Sequence, residues 1–281
     1  MPHGRSGRTV RVARRTIAGR QYAVAAFAAG EALPDPAALA ELNFDGVRLA
    51  AIDAASRHWL AEISRERVIR CLEVDGAWRG SPPHAELGTG LEVIELLGVK
   101  DVHLDVRDFP KLRVLTVAGA LSLTGHLSDW QELNQLALGH YIGTGLEELN
   151  GCISLESVKL TGRHQEVTPN WAEPPSSLRH FFAANLYLTS LDALGGLERL
   201  MTLSVDVPRP RRSLPVVSLA PLERCLKLEW LELWRAAELR DIEVLSRLPH
   251  IQNVVVEEGR YGESDLRGLP VTVVRERKRP F

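Results

Sequence analysis

A repeat constrains this chain more than any other feature. The pattern apolar-x-x-apolar-x-apolar occurs at Phe44-Val47-Leu49, Ile69-Leu72-Val74, Leu91-Ile94-Leu96, Leu112-Leu115-Val117 and Leu133-Leu136-Leu138. It continues at Leu155-Val158-Leu160, Leu178-Phe181-Ala183, Leu200-Leu203-Val205, Leu228-Leu231-Leu233 and Ile251-Val254-Val256. Successive first positions lie 25, 22, 21, 21, 22, 23, 22, 28 and 23 residues apart. A fixed period of this length belongs to chains built from stacked supersecondary units. Upstream of several hits the apolar residues fall every third position, as in Leu191-Leu194-Leu197, Leu219-Leu222-Cys225 and Ile242-Leu245-Leu248. A period near three is that of a short helix or 3₁₀ turn. Each unit therefore reads as a short strand, a turn and a helical return. One unit cannot bury its own apolar edge, and stacking makes a continuous core. Strands sit about 4.8 Å apart and helices about 8–10 Å apart, so the stack is expected to bend with its sheet on the concave side.

These residues resemble the leucine-rich-repeat family, LxxLxL followed by LxxLxxL, in its short bacterial variant of about 22 residues. The resemblance covers residues 40 to 274 and implies an α/β fold: a leucine-rich-repeat solenoid with a parallel concave sheet and short helical or 3₁₀ convex returns. It also implies binding rather than catalysis. The chain departs from the family where an Asn or Cys usually follows the last strand leucine by three positions. That column reads Ile52, Ala77, Val99, Ala120, Tyr141, Arg163, Leu186, Pro208, Ala236 and Gly259. Without the asparagine ladder, turn backbone groups must find other partners, and irregular turns are expected.

The domain reading follows. Residues 1–40 form an N-terminal cap or basic arm, 41–274 a solenoid of about ten coils, and 275–281 a basic tail. Alternation in Thr9–Ala13 and Gln21–Val24 predicts a strand pair covering the first coil, although Arg14-Arg15 ahead of Tyr22–Ala29 has some features of an export signal. Val271–Val274 reads as a last strand. Pro208–Pro215, with three prolines and three arginines, reads as a protruding loop, and Gly162–Pro175 as an irregular turn. No apolar run approaches the roughly 20 residues of a membrane-spanning helix. Cys71, Cys152 and Cys225 lie too far apart for a disulfide framework or zinc spacing, and a reduced, cytoplasmic protein is expected.

Nothing in the sequence indicates catalysis. It carries no nucleophile elbow, HExxH, Walker A or dinucleotide fingerprint. Gly88-Thr89-Gly90 and Gly143-Thr144-Gly145 read as turn glycines. His126, His140, His164 and His180 fall in different registers and do not stack into a metal site. No cofactor is expected.

Strand alternation assigns the side chains that face away from the coil interior. Position three reads Gly46, Cys71, Val93, Val114, Gln135, Ser157, His180, Thr202, Trp230 and Asn253. Position five reads Arg48, Glu73, Glu95, Thr116, Ala137, Lys159, Phe182, Ser204, Glu232 and Val255. Position seven includes Asp75, Asp206, Trp234 and Glu257. Across this face and its margins eleven acids (Asp45, Glu73, Asp75, Glu92, Glu95, Glu156, Asp206, Glu229, Glu232, Glu257, Glu258) outnumber six bases (Arg48, Arg70, Arg113, Lys159, Arg179, Arg235). An acidic face disfavours nucleic acid and steers a basic protein toward it. Aromatic side chains are enriched in binding hot spots. The expected partner-binding set is Trp230, Trp234, Glu232, Phe182, His180, Lys159, Asp206 and Glu257. If both tryptophans stand in solvent, replacing both by alanine leaves the melting temperature nearly unchanged. The alternative is a nucleic-acid or anionic-surface binder acting through arginines 1–20 and 275–279, and a further one is an enzyme subunit.

Overall fold

The structure is a computed structural model. It describes residues 10–28, 32–39, 41–77, 87, 90–99, 101–206, 217–234, 239–257, 268 and 271–274. Pro208–Pro215, Glu258 and the C-terminal basic tail lie outside the described residues. The chain divides into two compact units, residues 1–124 and 125–281.

The first unit opens with strands β1 (Arg11–Ile17) and β2 (Arg20–Phe27), an antiparallel hairpin closed by Ala18-Gly19. Both turn residues have positive φ, 48° and 74°, as a two-residue hairpin turn that follows strand twist demands. The hairpin is longer than the alternation predicts. Strand β2 then pairs in parallel with β3 (Gly46–Leu49), followed by β4 (Cys71–Val74), β5 (Val93–Leu96) and, after β6 (Asp101–Asp105), β7 (Val114–Val117). The pairings Gly46↔Cys71↔Val93↔Val114 reproduce the position-three column. Strands β6 and β8 (Ala120–Thr124) form a separate parallel pair.

The return after β3 is a full α-helix, α1 (Ala54–Glu66), rather than a short turn. Asp53 caps it: its carboxylate accepts from the Ser56 amide at 2.9 Å, and the Asp53 amide donates to Ser56 Oγ at 2.7 Å. This capping box satisfies two otherwise orphaned donors. Trp59, Leu60 and Ile63, on one helix face, are buried, and the Trp59 indole donates to the Pro34 carbonyl at 2.7 Å.

In the second unit β9 (Gln135–Leu138), β10 (Ser157–Val167), β11 (His180–Leu188), β12 (Thr202–Asp206), β14 (Trp230–Trp234), β16 (Asn253–Glu257) and β17 (Val271–Val274) run in parallel, one per coil. Strands β13 (Val217–Ser218) and β15 (Leu239–Arg240) make a small second pair. The returns are 3₁₀ turns at Leu127–Asp129, Glu147–Leu149, Asp192–Gly196, Ala220–Arg224 and Ile242–Arg247. In two of them the every-third-residue apolar side chains point inward: Leu191, Leu194, Leu197, Leu219, Leu222 and Cys225 are all at most 1% exposed.

One stretch departs from the sequence reading. Gly162 does not begin an irregular turn, because β10 runs on to Val167 and β11 to Leu188. Both pass through register shifts, and His164 and Asn185 adopt positive φ there. The ladder's absence has a local remedy. The buried Asp206 carboxylate accepts from the Asn185 amide at 2.6 Å. The Gln165 side chain accepts from the Arg163 amide at 2.7 Å and donates to the Tyr141 carbonyl at 2.6 Å. Side chains from scattered positions thus serve backbone groups where the strands leave regular register.

Candidate functional site

The outward sheet face is used differently in the two units. In the first it is occupied by the chain's own hairpin. Ile17, Tyr22 and Val24 pack on Cys71, Val93 and Val114, the position-three residues of β4, β5 and β7, and all six are buried. Sequence alternation placed those three in solvent; the hairpin covers them. The column itself held the signal, since Cys-Val-Val is apolar where the second unit has Gln-Ser-His-Thr.

The acids of that face are paired rather than displayed. Glu92, 9% exposed, accepts from Arg20 Nη1 at 2.8 Å, Tyr22 Oη at 3.0 Å and Arg70 Nε at 2.9 Å. Burial alone raises its pKa, but the bonds from Arg70, Tyr22 and Arg20 outweigh it and hold the carboxyl below the usual range. Burial, and then the bond to Glu92, pushes the Tyr22 phenol up to about 12. Arg15 reaches from β1 to Glu73, and to Glu95 at 3.3 Å. Glu73 is only 4% exposed, and a charge so buried requires a partner. Glu95 is raised by burial, with Arg15 pulling against it. Arg48 pairs with Asp75, its Nε at 3.0 Å. The expected acidic face therefore shrinks in this unit: Glu73 and Glu95 are held by Arg15, and Glu92 by Arg20 and Arg70.

In the second unit the same face carries a pocket of about 320 Å³. Lys159, Phe182, Asp206, Glu232 and Trp234, five of the eight expected site residues, line it together with Asn185 and Ser204. Glu232 is its hub. Its Oε1 accepts from the Trp230 indole at 2.8 Å, and its Oε2 from Ser204 Oγ at 2.7 Å and the Trp234 indole at 3.2 Å. Residues two apart on a strand share a face, so one carboxylate orients both tryptophans. The pair is unequal: Trp230 is 40% exposed and Trp234 only 7%. Asp206 is a second correction. It was expected outward, yet it is fully buried and serves the Asn185 amide. Phe182 is half-buried and Lys159 exposed. His180 bonds Thr202 Oγ1 at 3.1 Å on the neighbouring strand, two residues from Phe182 in the pocket row. Glu257 ends β16, paired with Val274, and its side chain lies outside the described residues. Sequence reasoning missed Ser204 and Asn185; small polar residues on a strand carried no distinguishing signal.

The thiols offer no nucleophile. All three are buried and free. Burial raises Cys152 and Cys225 to about 11 and pushes Cys71 higher still, with Glu73 and Glu95 adding to it. Thiolate is the reactive form. Among the described residues no helix is long and apolar enough to cross a membrane.

No protein-family model and no curated protein matches the sequence. Two solved structures from Listeria monocytogenes are similar. Internalin C2 is 16% identical, with 74% of this chain and 76% of that one covered and a TM-score of 0.43. Internalin F is 15% identical, with 73% and 72% covered and a TM-score of 0.43. The chain's own period, its parallel strands, one per coil, and its 3₁₀ returns make its fold that of a leucine-rich-repeat solenoid.

Proposed function

We propose that this chain is a non-catalytic protein-binding module whose partner, a basic protein, sits on the outward sheet face of the second unit. Trp230 carries the reading. It is a large aromatic, 40% exposed, on a regular strand whose core is filled without it. It is held by Glu232 beside an open pocket. A pre-oriented, exposed aromatic is the kind of side chain whose truncation costs binding most. Trp234, Phe182, Lys159 and Asp206 shape the pocket; His180 lies on the strand of Phe182, and Glu257 on β16, next to β14. The first unit's face contributes little, because its hairpin already covers it. The arginine-arm alternative weakens for the same reason: Arg15 and Arg20 are spent on Glu73, Glu95 and Glu92.

The test is affinity capture from the source organism, followed by binding measurements with the purified partner. Trp230→Ala is expected to weaken binding by about 2 kcal/mol, roughly thirtyfold. Unchanged affinity in that variant would place the interface elsewhere.

A further inference from the structure

The chain contains its own example of what this sheet face accepts. In the first unit, position five carries Glu73 and Glu95, and a guanidinium meets them: Arg15, delivered from above the face on the extended strand β1. In the second unit, position five carries Glu232 on β14. Its bonded partners among the described residues are Trp230, Trp234 and Ser204, all neutral donors. A carboxylate has about four acceptor directions, so three donors leave one open. The negative charge is oriented and left uncompensated by those donors. Around it stand the aromatic surfaces of Trp234 and Phe182. Acid plus aromatic face is the pairing that favours a planar, weakly hydrated cation, and arginine over lysine. Lys159 at the other end of the row makes the pocket one for a single cation rather than a run of them.

We infer that the pocket receives one arginine side chain, presented on an extended segment of the partner protein, with its guanidinium against Glu232. This deepens the proposed function by specifying the partner's chemistry, and it rests on that reading.

The probe is the peptide acetyl-Ser-Val-Arg-Val-Ser-amide. Its control carries citrulline, which keeps the planar shape and loses the charge. Both are titrated into the full chain at low salt while tryptophan emission is followed, because the indoles bonded to Glu232 report its occupancy. The arginine peptide is expected to bind at least fivefold more tightly than its citrulline twin. Glu232→Gln, checked for folding by circular dichroism, is expected to abolish that preference. Equal binding of the two peptides, binding of neither, or a preference that survives Glu232→Gln would overturn the inference. So would a response to an oligonucleotide in place of the peptide. The two readings fail separately. If Trp230→Ala weakens partner capture while the peptides are not distinguished, the interface stands and the arginine does not. If capture is indifferent to Trp230, the interface itself falls.

Discussion

The two tryptophans of β14 should respond to truncation to different degrees, and the difference is calculable. Trp234 is 7% exposed. Removing a buried tryptophan side chain costs about 3–5 kcal/mol. Because Trp234 borders a pocket, water can enter part of the space it leaves, and the low end, about 3 kcal/mol, applies. Trp230 is 40% exposed and has one bond to a surface carboxylate; its loss should cost about 1 kcal/mol or less. For a protein of this size each kcal/mol shifts the melting temperature by roughly 2–4 °C. Trp234→Ala should then melt about 6–12 °C below wild type, and Trp230→Ala within about 4 °C. The assay is urea and thermal unfolding followed by far-ultraviolet circular dichroism, since tryptophan emission changes with the substitution itself. A penalty below about 1 kcal/mol for Trp234→Ala, or equal penalties for the two, would refute the assignment of one as core and the other as surface. The same numbers revise the expectation drawn from alternation alone. The double alanine variant should not be stability-neutral, so Trp230→Ala is the cleaner probe of binding.

Two further outcomes test the supporting structure. Glu92 is held below its ordinary pKa, so its contribution is fully present above the unfolded value and is lost as pH falls through the folded one. Glu95 is held above its ordinary value and works in the opposite sense, its contribution fading as pH rises. Stability measured between about pH 5 and pH 3 should fall less steeply in Glu92→Gln than in wild type; parallel slopes would remove Glu92 from the account. In the second unit, Asp206→Ala should cost about 1–3 kcal/mol by stranding the Asn185 amide, and amide exchange at Asn185 should accelerate relative to its neighbours. An unchanged exchange rate there would show that the amide has another partner.

Much of the fold was legible because the strand motif recurs and its first residues pair coil to coil. Once Leu133, Leu155 and Leu178 are aligned, the partners Gln135, Ser157 and His180 follow. Strand alternation then places side chains correctly wherever nothing else covers the sheet, as at Trp230. It failed where a distant segment intervenes. Tyr22 meets Glu92 across 70 residues of sequence, and no local period encodes that contact. It failed again at Asp206 and Trp234, adjacent across β12 and β14, where β11 leaves regular geometry at Asn185. Five of the expected residues thus share one pocket, while their division into exposed and buried members was not written in the alternation.

The hairpin also bears on how copies of this chain meet one another. A stack of parallel strands ends in a raw row of amides and carbonyls, and such an edge invites another chain to add a strand. Strand β1 takes that terminal place in the first unit, antiparallel to β2. It is poor material for a template: three of its seven residues are arginines, with Arg11 and Arg14 in solvent. The same strand of a second molecule, brought alongside, would set its arginines against Arg11 and Arg14. The hairpin that seals the face of the first unit thus also gives it a charged rim, which disfavours the edge-to-edge pairing of two such strands.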